Sequence, residues 1–447
     1  VTCSSFSTRD SGIVDYESRP SRSWSAICKR ISESGSEERG VFTVLNQAEK
    51  DGRYLTRWEL CRIAKELRKF RRYKFALEVF DWMNNRPERF RITTSDTAIR
   101  LDLIAKVHGI PSAESYFSRL TDELKDKRIY GSLLNVYARA KMREEAETLM
   151  DKMRTRGYAT QPLPYNVMMT LYLNLKDHEK VECLVAEMRE RSIELDIYSY
   201  NIWLSSRGSL GSVERMEQVF DLIQLDPSLN PNWATFSSMA ATYIRLGYLD
   251  KACDCLKKIE IILTSRDRLP YHHLISLYGS AGKSDEVRRM WNLYKATFPI
   301  IPNVAYNTVI SALLRTDEID DARKLYDEWA KAKTRYDPRI GNLFLVWYSR
   351  NGLGEKVESF FDEMSRLGCE PNGLTWEVMA EYHIRNGRPR EAVSCVGEAV
   401  AVERRPKKWA PKPSTVAAIL RLCEEGGDAA SREGLVEILR SVGRLGD

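Results

Sequence analysis

A period of about 35 residues governs this chain. An aromatic residue followed by a small or polar residue and an aliphatic stretch recurs at Tyr130, Tyr165, Tyr200, Phe236, Tyr271 and Tyr306, at spacings of 35, 35, 36, 35 and 35. A glycine returns at Gly211, Gly247, Gly282, Gly352 and Gly387, eleven residues beyond the aromatic position. Five residues further on stands a small or β-branched residue: Ala146, Val181, Ala252, Val287, Ala322, Val357 or Ala392. Two helices joined by a tight turn account for all three marks. In one unit, Asn303 to Asp337, residues Tyr306, Val309, Ile310, Leu313 and Leu314 share one helical face; a polar turn follows, and Ala322, Leu325, Tyr326 and Trp329 mark a second amphipathic helix. One such hairpin has too little interior to fold alone, so neighbours must stack. Units start near Arg57, Ser95, Lys127, Pro162, Ile197, Trp233, Arg268, Asn303, Pro338, Gly373 and Lys412, the first two and the last being degenerate.

Length takes its meaning from this period. A chain of 447 residues would make about three ordinary domains; a repeat array needs no second core. Hydrophobic residues at 43% and charged residues at 30% fit a folded chain. The longest uncharged runs, Pro227 to Ile244 and Thr297 to Leu314, carry prolines, asparagines and hydroxyl residues and do not read as membrane spans. Nine scattered cysteines form no CxxC pair, and the five histidines fall in no metal or catalytic motif. No disulfide framework, metal site, cofactor or enzyme is expected.

The hairpin, exemplified by TWEVMAEYHIRNGRPREAV, resembles the pentatricopeptide repeat from roughly Arg57 onward. The tetratricopeptide repeat fits less well: its period is 34, and it wants a glycine four residues after the aromatic, where this chain has Leu134, Met169, Leu204, Ala240, Ile275 and Ile310. No deaminase-type extension follows, so the chain resembles the P-class of plant organellar members, and Leu55 to Met83 looks like the start shared by many of them. The resemblance implies an all-α fold, a right-handed superhelical α-solenoid of stacked 35-residue helix-turn-helix repeats. It also implies that each repeat reads one RNA base through the residue after the aromatic position and the unit's last residue.

Carried over residue by residue, the reading pairs are Asn166 with Asp196, Asn201 with Asn232, Ser237 with Asp267, Asn307 with Asp337, and Asn342 with Asn372. By the same analogy the order from Pro162 onward is U, pyrimidine, G, unread, U, pyrimidine. Gly131 with Gln161, His272 with Pro302, and Glu377 depart from the pattern. Asp196, Asn232, Asp267, Asp337 and Asn372 each precede an expected helix, where capping of free N–H groups explains them equally well. Capping does not explain the asparagines at 166, 201, 307 and 342. His272 and His273 read as wall residues.

A basic residue recurs near the end of the first helix: Lys69, Arg139, Arg245, Arg315, Arg350 and Arg385. Stacking would line them up for an RNA backbone; cations at helix C-termini also complement the macrodipole. Residues 57 to 94 hold eleven basic and five acidic side chains, an excess equal to the whole chain's +6. Arg62, Lys65, Arg68, Lys69, Arg71, Arg72 and Lys74 lie within thirteen residues, with Glu66 to compensate, and suggest a docking patch for RNA backbone or rRNA rather than a solvated face. Arg404, Arg405, Lys407, Lys408 and Lys412 surround Trp409, which either stacks on a base or packs on the preceding hairpin.

The leading expectation is a non-catalytic, sequence-selective single-stranded RNA-binding protein acting in organellar processing, stability or translation. The alternative is a structural subunit of an organellar ribosome or other ribonucleoprotein, gripping rRNA and proteins. A purely protein-binding scaffold is a third. Partners are thus an organellar transcript or rRNA, with proteins in the second case, and neither a membrane nor a small-molecule substrate. The expected organisation is a flexible serine-rich arm (1–56), degenerate basic hairpins (57–126), the repeat array (127–411) and a C-terminal capping hairpin (412–447). Eleven serines among the first forty residues suggest the edge of a transit peptide, and six acids there suggest mature arm. Val1 to Ser4 resembles a plastid cleavage site, which places chloroplast ahead of mitochondrion.

Overall fold

The computed structural model describes residues 23–33, 40–333, 336–402 and 410–442. All regular elements among them are helices. The basic linker around Trp409 and the serine-rich residues before Ser23 lie outside the described residues. The chain divides into two compact units, residues 1–206 and 207–447.

The first unit opens with a hairpin that the 35-residue period does not announce: α1 (Ser23–Glu33) and α2 (Gly40–Lys50). Over these two helices the expectation of a flexible arm is corrected. Ile27, Ile31, Val41, Val44, Leu45 and Ala48 recur at helical spacing and are buried together with Leu60, Ile63 and Leu67 of the next hairpin. That hairpin consists of α3 (Arg57–Lys69) and α4 (Tyr73–Asn84). A capping box at Thr56 and Glu59 starts α3, each side chain bonding the other's backbone N–H. Hairpins Thr94–His108 with Ile110–Arg119, Lys127–Ala140 with Arg143–Thr155, and Pro162–Leu175 with His178–Glu190 follow, each first helix packing on the next.

In the second unit the first helices are Trp233–Arg245, Leu269–Ser280, Asn303–Arg315, Pro338–Arg350, Gly373–Arg385 and Pro413–Gly426. They too pack successively, so each unit is a stack of hairpins, an α-solenoid.

The marks of the period acquire physical causes. The recurrent small residues Ala146, Val181, Ala252, Val287, Ala322, Val357 and Ala392 are fully buried, each in the second helix of its hairpin. The turn position eleven residues after the aromatic is left-handed in every repeat from the one at Lys127 to the one at Gly373, with φ between 58° and 84°. Glycine adopts this region freely, whereas Lys141, Lys176 and Asp317 occupy it at the cost of Cβ crowding. A polar ladder joins successive hairpins: Tyr137 donates to Glu114 (2.8 Å), Tyr172 to Glu147 (2.7 Å), Tyr243 to Glu217 (2.6 Å) and Tyr382 to Glu358 (3.1 Å).

Candidate nucleic-acid interface

The residue after each buried aromatic lies in the first helix of its hairpin. At the five expected pairs the last residue of the unit stands at the start of the next hairpin's first helix, which explains its identity locally: a short side-chain oxygen reaches a free N–H there. Asp196 accepts from the Ser199 N–H (2.8 Å), Asn232 from Ala234 and Thr235 (3.0 and 3.1 Å), Asp267 from Leu269 (2.9 Å), Asp337 from Arg339 (3.1 Å) and Asn372 from Thr375 (2.9 Å).

Two of the expected reading pairs are joined side chain to side chain. Asn166 donates from Nδ2 to Asp196 (3.0 Å), while the Ser199 hydroxyl lies 2.7 Å from Asn166 Oδ1 and 2.9 Å from the Asp196 carboxylate. The same triangle recurs at Asn342, which donates to Asn372 Oδ1 (3.3 Å) and accepts from Thr375 Oγ1 (2.9 Å). A capping acceptor and a hydroxyl donor thus fix which end of each asparagine amide faces which neighbour. Both amides are buried, Asn166 at 9% exposure and Asn342 at 2%.

The pair Asn307 and Asp337 is not joined. Asn307 donates to the Arg339 carbonyl (3.3 Å) and is half-buried, while Asp337 is gripped by the Arg339 guanidinium (2.6 Å) and by Asn303 (3.3 Å). The hydrogen bond from Arg339 holds the Asp337 carboxyl below the usual carboxylate range, against the opposing effect of burial. Where the first two triangles have Ser199 and Thr375, this repeat has Ile340, which offers no hydroxyl.

Ser237 is buried with its hydroxyl unpartnered, and Asp267, one place ahead of the N-cap Arg268, is engaged by the Leu269 N–H. Asn201 and Asn232 fall in different units. His272 packs as a wall residue, its Nε2 3.3 Å from the Tyr294 hydroxyl, and burial pushes its pKa down. The departure at Glu377 has a partner unforeseen from sequence: Lys412, just before the next first helix, lies 3.1 Å from its carboxylate, so an ion pair fills the reading position. Complementary charge at the two reading positions was the available signal. For Ser199 and Thr375 it was a hydroxyl three residues after the cap.

The recurrent cations are stack contacts in their first role. Arg245 donates to the Gly208 carbonyl (2.5 Å), Arg315 to Ser276 (3.0 Å) and Arg385 to Ser349 (2.9 Å), each reaching the end of the preceding first helix. They add a second donor to carbonyls in the last turns of these helices, where a cation also complements the helix dipole, and all three remain exposed, as does Arg350. In the first unit Arg68 (3.5 Å), Lys106 (2.8 Å) and Arg139 (2.5 Å) converge on Asp102. Burial would raise the Asp102 carboxyl, but the Lys106 hydrogen bond and the three positive charges hold it low. Lys69, Arg71 and Arg72 are exposed. No group of side chains suited to holding a metal occurs among the described residues, and no helix there is long and apolar enough to cross a membrane.

Sequence patterns described as the PPR repeat match residues 128–158, 234–260, 270–295, 304–333 and 342–369, and one described as the PPR repeat family matches 164–206. A pentatricopeptide repeat-containing protein of Arabidopsis thaliana is 51% identical over 447 residues, all of this chain and 85% of that protein. The chain belongs to the pentatricopeptide repeat family. A second Arabidopsis member, the large ribosomal subunit protein mL101, is 37% identical over 93% of this chain and 84% of its own length. A third, named as mitochondrial, is 33% identical over 95% of this chain and 85% of its own. The crystal structure of the pentatricopeptide repeat protein PPR10 from maize is 19% identical, with a TM-score of 0.43 over 96% of this chain and 64% of that one.

Proposed function

We propose that this pentatricopeptide repeat protein binds single-stranded RNA selectively and acts in organellar RNA processing, stability or translation without chemistry of its own. The observation that carries the reading is the oriented asparagine amide. With Oδ1 and one N–H engaged, Asn166 has one further N–H to offer beside the second oxygen of Asp196. A donor beside an acceptor complements the carbonyl and N3–H of uracil. Asn342 and Asn372 offer amide donors and complement the acceptor-rich edge of a pyrimidine. The test is binding of an RNA carrying U, pyrimidine, G, any base, U, pyrimidine, compared with its scrambled form. Selectivity is expected for wild type and a changed base preference for Asn166→Ala and Asn307→Ala; equal affinity for both RNAs would end the reading.

A second reading, a structural subunit of an organellar ribosome, is favoured by the identity to mL101 over nearly the whole of both chains. Co-sedimentation with ribosomal subunits through moderate salt supports it, and a free monomeric pool counts against it. The mitochondrial name of another relative shifts the expected compartment from chloroplast toward mitochondrion; imaging the fluorescently tagged protein in plant cells decides between them.

A further inference from the structure

On α3, residues Trp58, Arg62, Lys65 and Lys69 recur every three or four positions and are exposed, while Leu60, Ile63, Ala64 and Leu67 fill the core on the opposite side. The stripe is centred roughly 70° around the helix from Cys61, the counterpart of the reading asparagines, and runs about 16 Å along the axis. Two large aromatic rings stand at its ends, Trp58 at 51% exposure and Phe70 at 67%. The α1 hairpin completes it. The Arg62 guanidinium is sandwiched between Trp24 of α1, 5.3 Å from its centroid, and Trp58, at 5.6 Å. That sandwich fixes the Trp58 ring and leaves the guanidinium edge to donate.

Little negative charge answers these cations. Glu66 lies 3.9 Å from Lys69, and Glu59 is held in the Thr56 cap. Among the described residues Arg62, Lys65, Arg71 and Arg72 have no ion-pair partner. Exposed rings beside unanswered cations match a strand that alternates flat bases with phosphates. An acidic polypeptide would use the charges and leave the rings bare.

We propose that this face of α3 is a second RNA-docking surface, independent of sequence, on which bases stack against Trp58 and Phe70 while Arg62, Lys65 and Lys69 hold phosphates. It rests on the reading of the chain as an RNA-binding protein, though not on its base selectivity. The surface anchors the strand beside the reading face and sets affinity, leaving discrimination to the asparagine pairs.

The test uses the full chain and two fluorescent RNAs, the core sequence above and its scrambled form, titrated from 50 to 300 mM salt. Replacing Arg62, Lys65 and Lys69 together by Gln should weaken both RNAs equally. It should also lower the slope of log affinity against log salt by about two, since a single-strand phosphate contact contributes about 0.7. Trp58→Ala should weaken both by roughly tenfold with the slope kept, as expected for one lost stacking partner. Unchanged helical circular dichroism in both variants assigns the losses to the surface. An unchanged salt slope in the triple variant overturns the proposal, as does poly-L-glutamate competing as well as RNA and indifferently to Trp58→Ala. A wild-type protein that binds both RNAs alike would remove base selectivity and leave this surface standing.

Discussion

The repeats beginning at Pro162 and Asn303 carry the same reading pair, asparagine then aspartate, and hold it in opposite ways. In the first, Asn166, Asp196 and Ser199 close a buried triangle; in the second, Asn307 turns to a main-chain carbonyl and Asp337 to Arg339. The residue three places after the cap separates them. A hydroxyl there ties the asparagine carbonyl down, while Ile340 leaves it nothing to accept from. Two identical reading pairs therefore present different surfaces: one a closed, buried triangle, the other half-buried with its two members turned to different partners.

Asp196→Ala removes a helix cap and leaves the Asn166 amide without its acceptor, so it should cost about 3 kcal/mol of stability in chemical unfolding. Asp337→Ala removes a cap that Asn307 does not use and should cost about 1 kcal/mol; equal losses would erase the distinction. Thr375→Val, which orphans the buried Asn342 carbonyl while keeping shape, should cost about 2 kcal/mol in the same assay. Lys176→Gly, at a left-handed turn in the closed repeat, should gain about 0.5 to 1 kcal/mol. Asp317→Gly, at the same turn of the other repeat, should gain less, because aspartate tolerates that region better.

The smallest effect concerns pH. The folded Asp337 carboxyl is depressed, so its contribution is present above the unfolded value near ~3.9 and is lost as pH falls through the lower folded value. Arg339→Ala should move its titration, followed by carboxyl NMR, back up; an unmoved midpoint would show that Arg339 does not grip it.

Much of this was legible in the residues. Tyr130 through Tyr306 mark the first helices, and the turn glycines mark left-handed positions because only glycine enters that region freely. The caps at Asp196 and Asn372 were legible as capping residues. The α1 hairpin was not, since a serine-rich composition hid the helical spacing of Ile27, Ile31, Val41 and Leu45. Nor was the difference between Asn166 and Asn307, which depends on groups about 30 residues away.

The sequence by itself determined the hairpins, their turns and the small residues of their second helices, because those rest on patterns spanning one or two helical turns. Tertiary structure alone decided which polar groups the stack consumes. Arg245, Arg315 and Arg385 meet the carbonyls of the preceding hairpin, and three cations converge on Asp102. Donor and acceptor in these contacts, mostly more than thirty residues apart, meet only once one hairpin is laid on the next, so no local pattern of residues announces them.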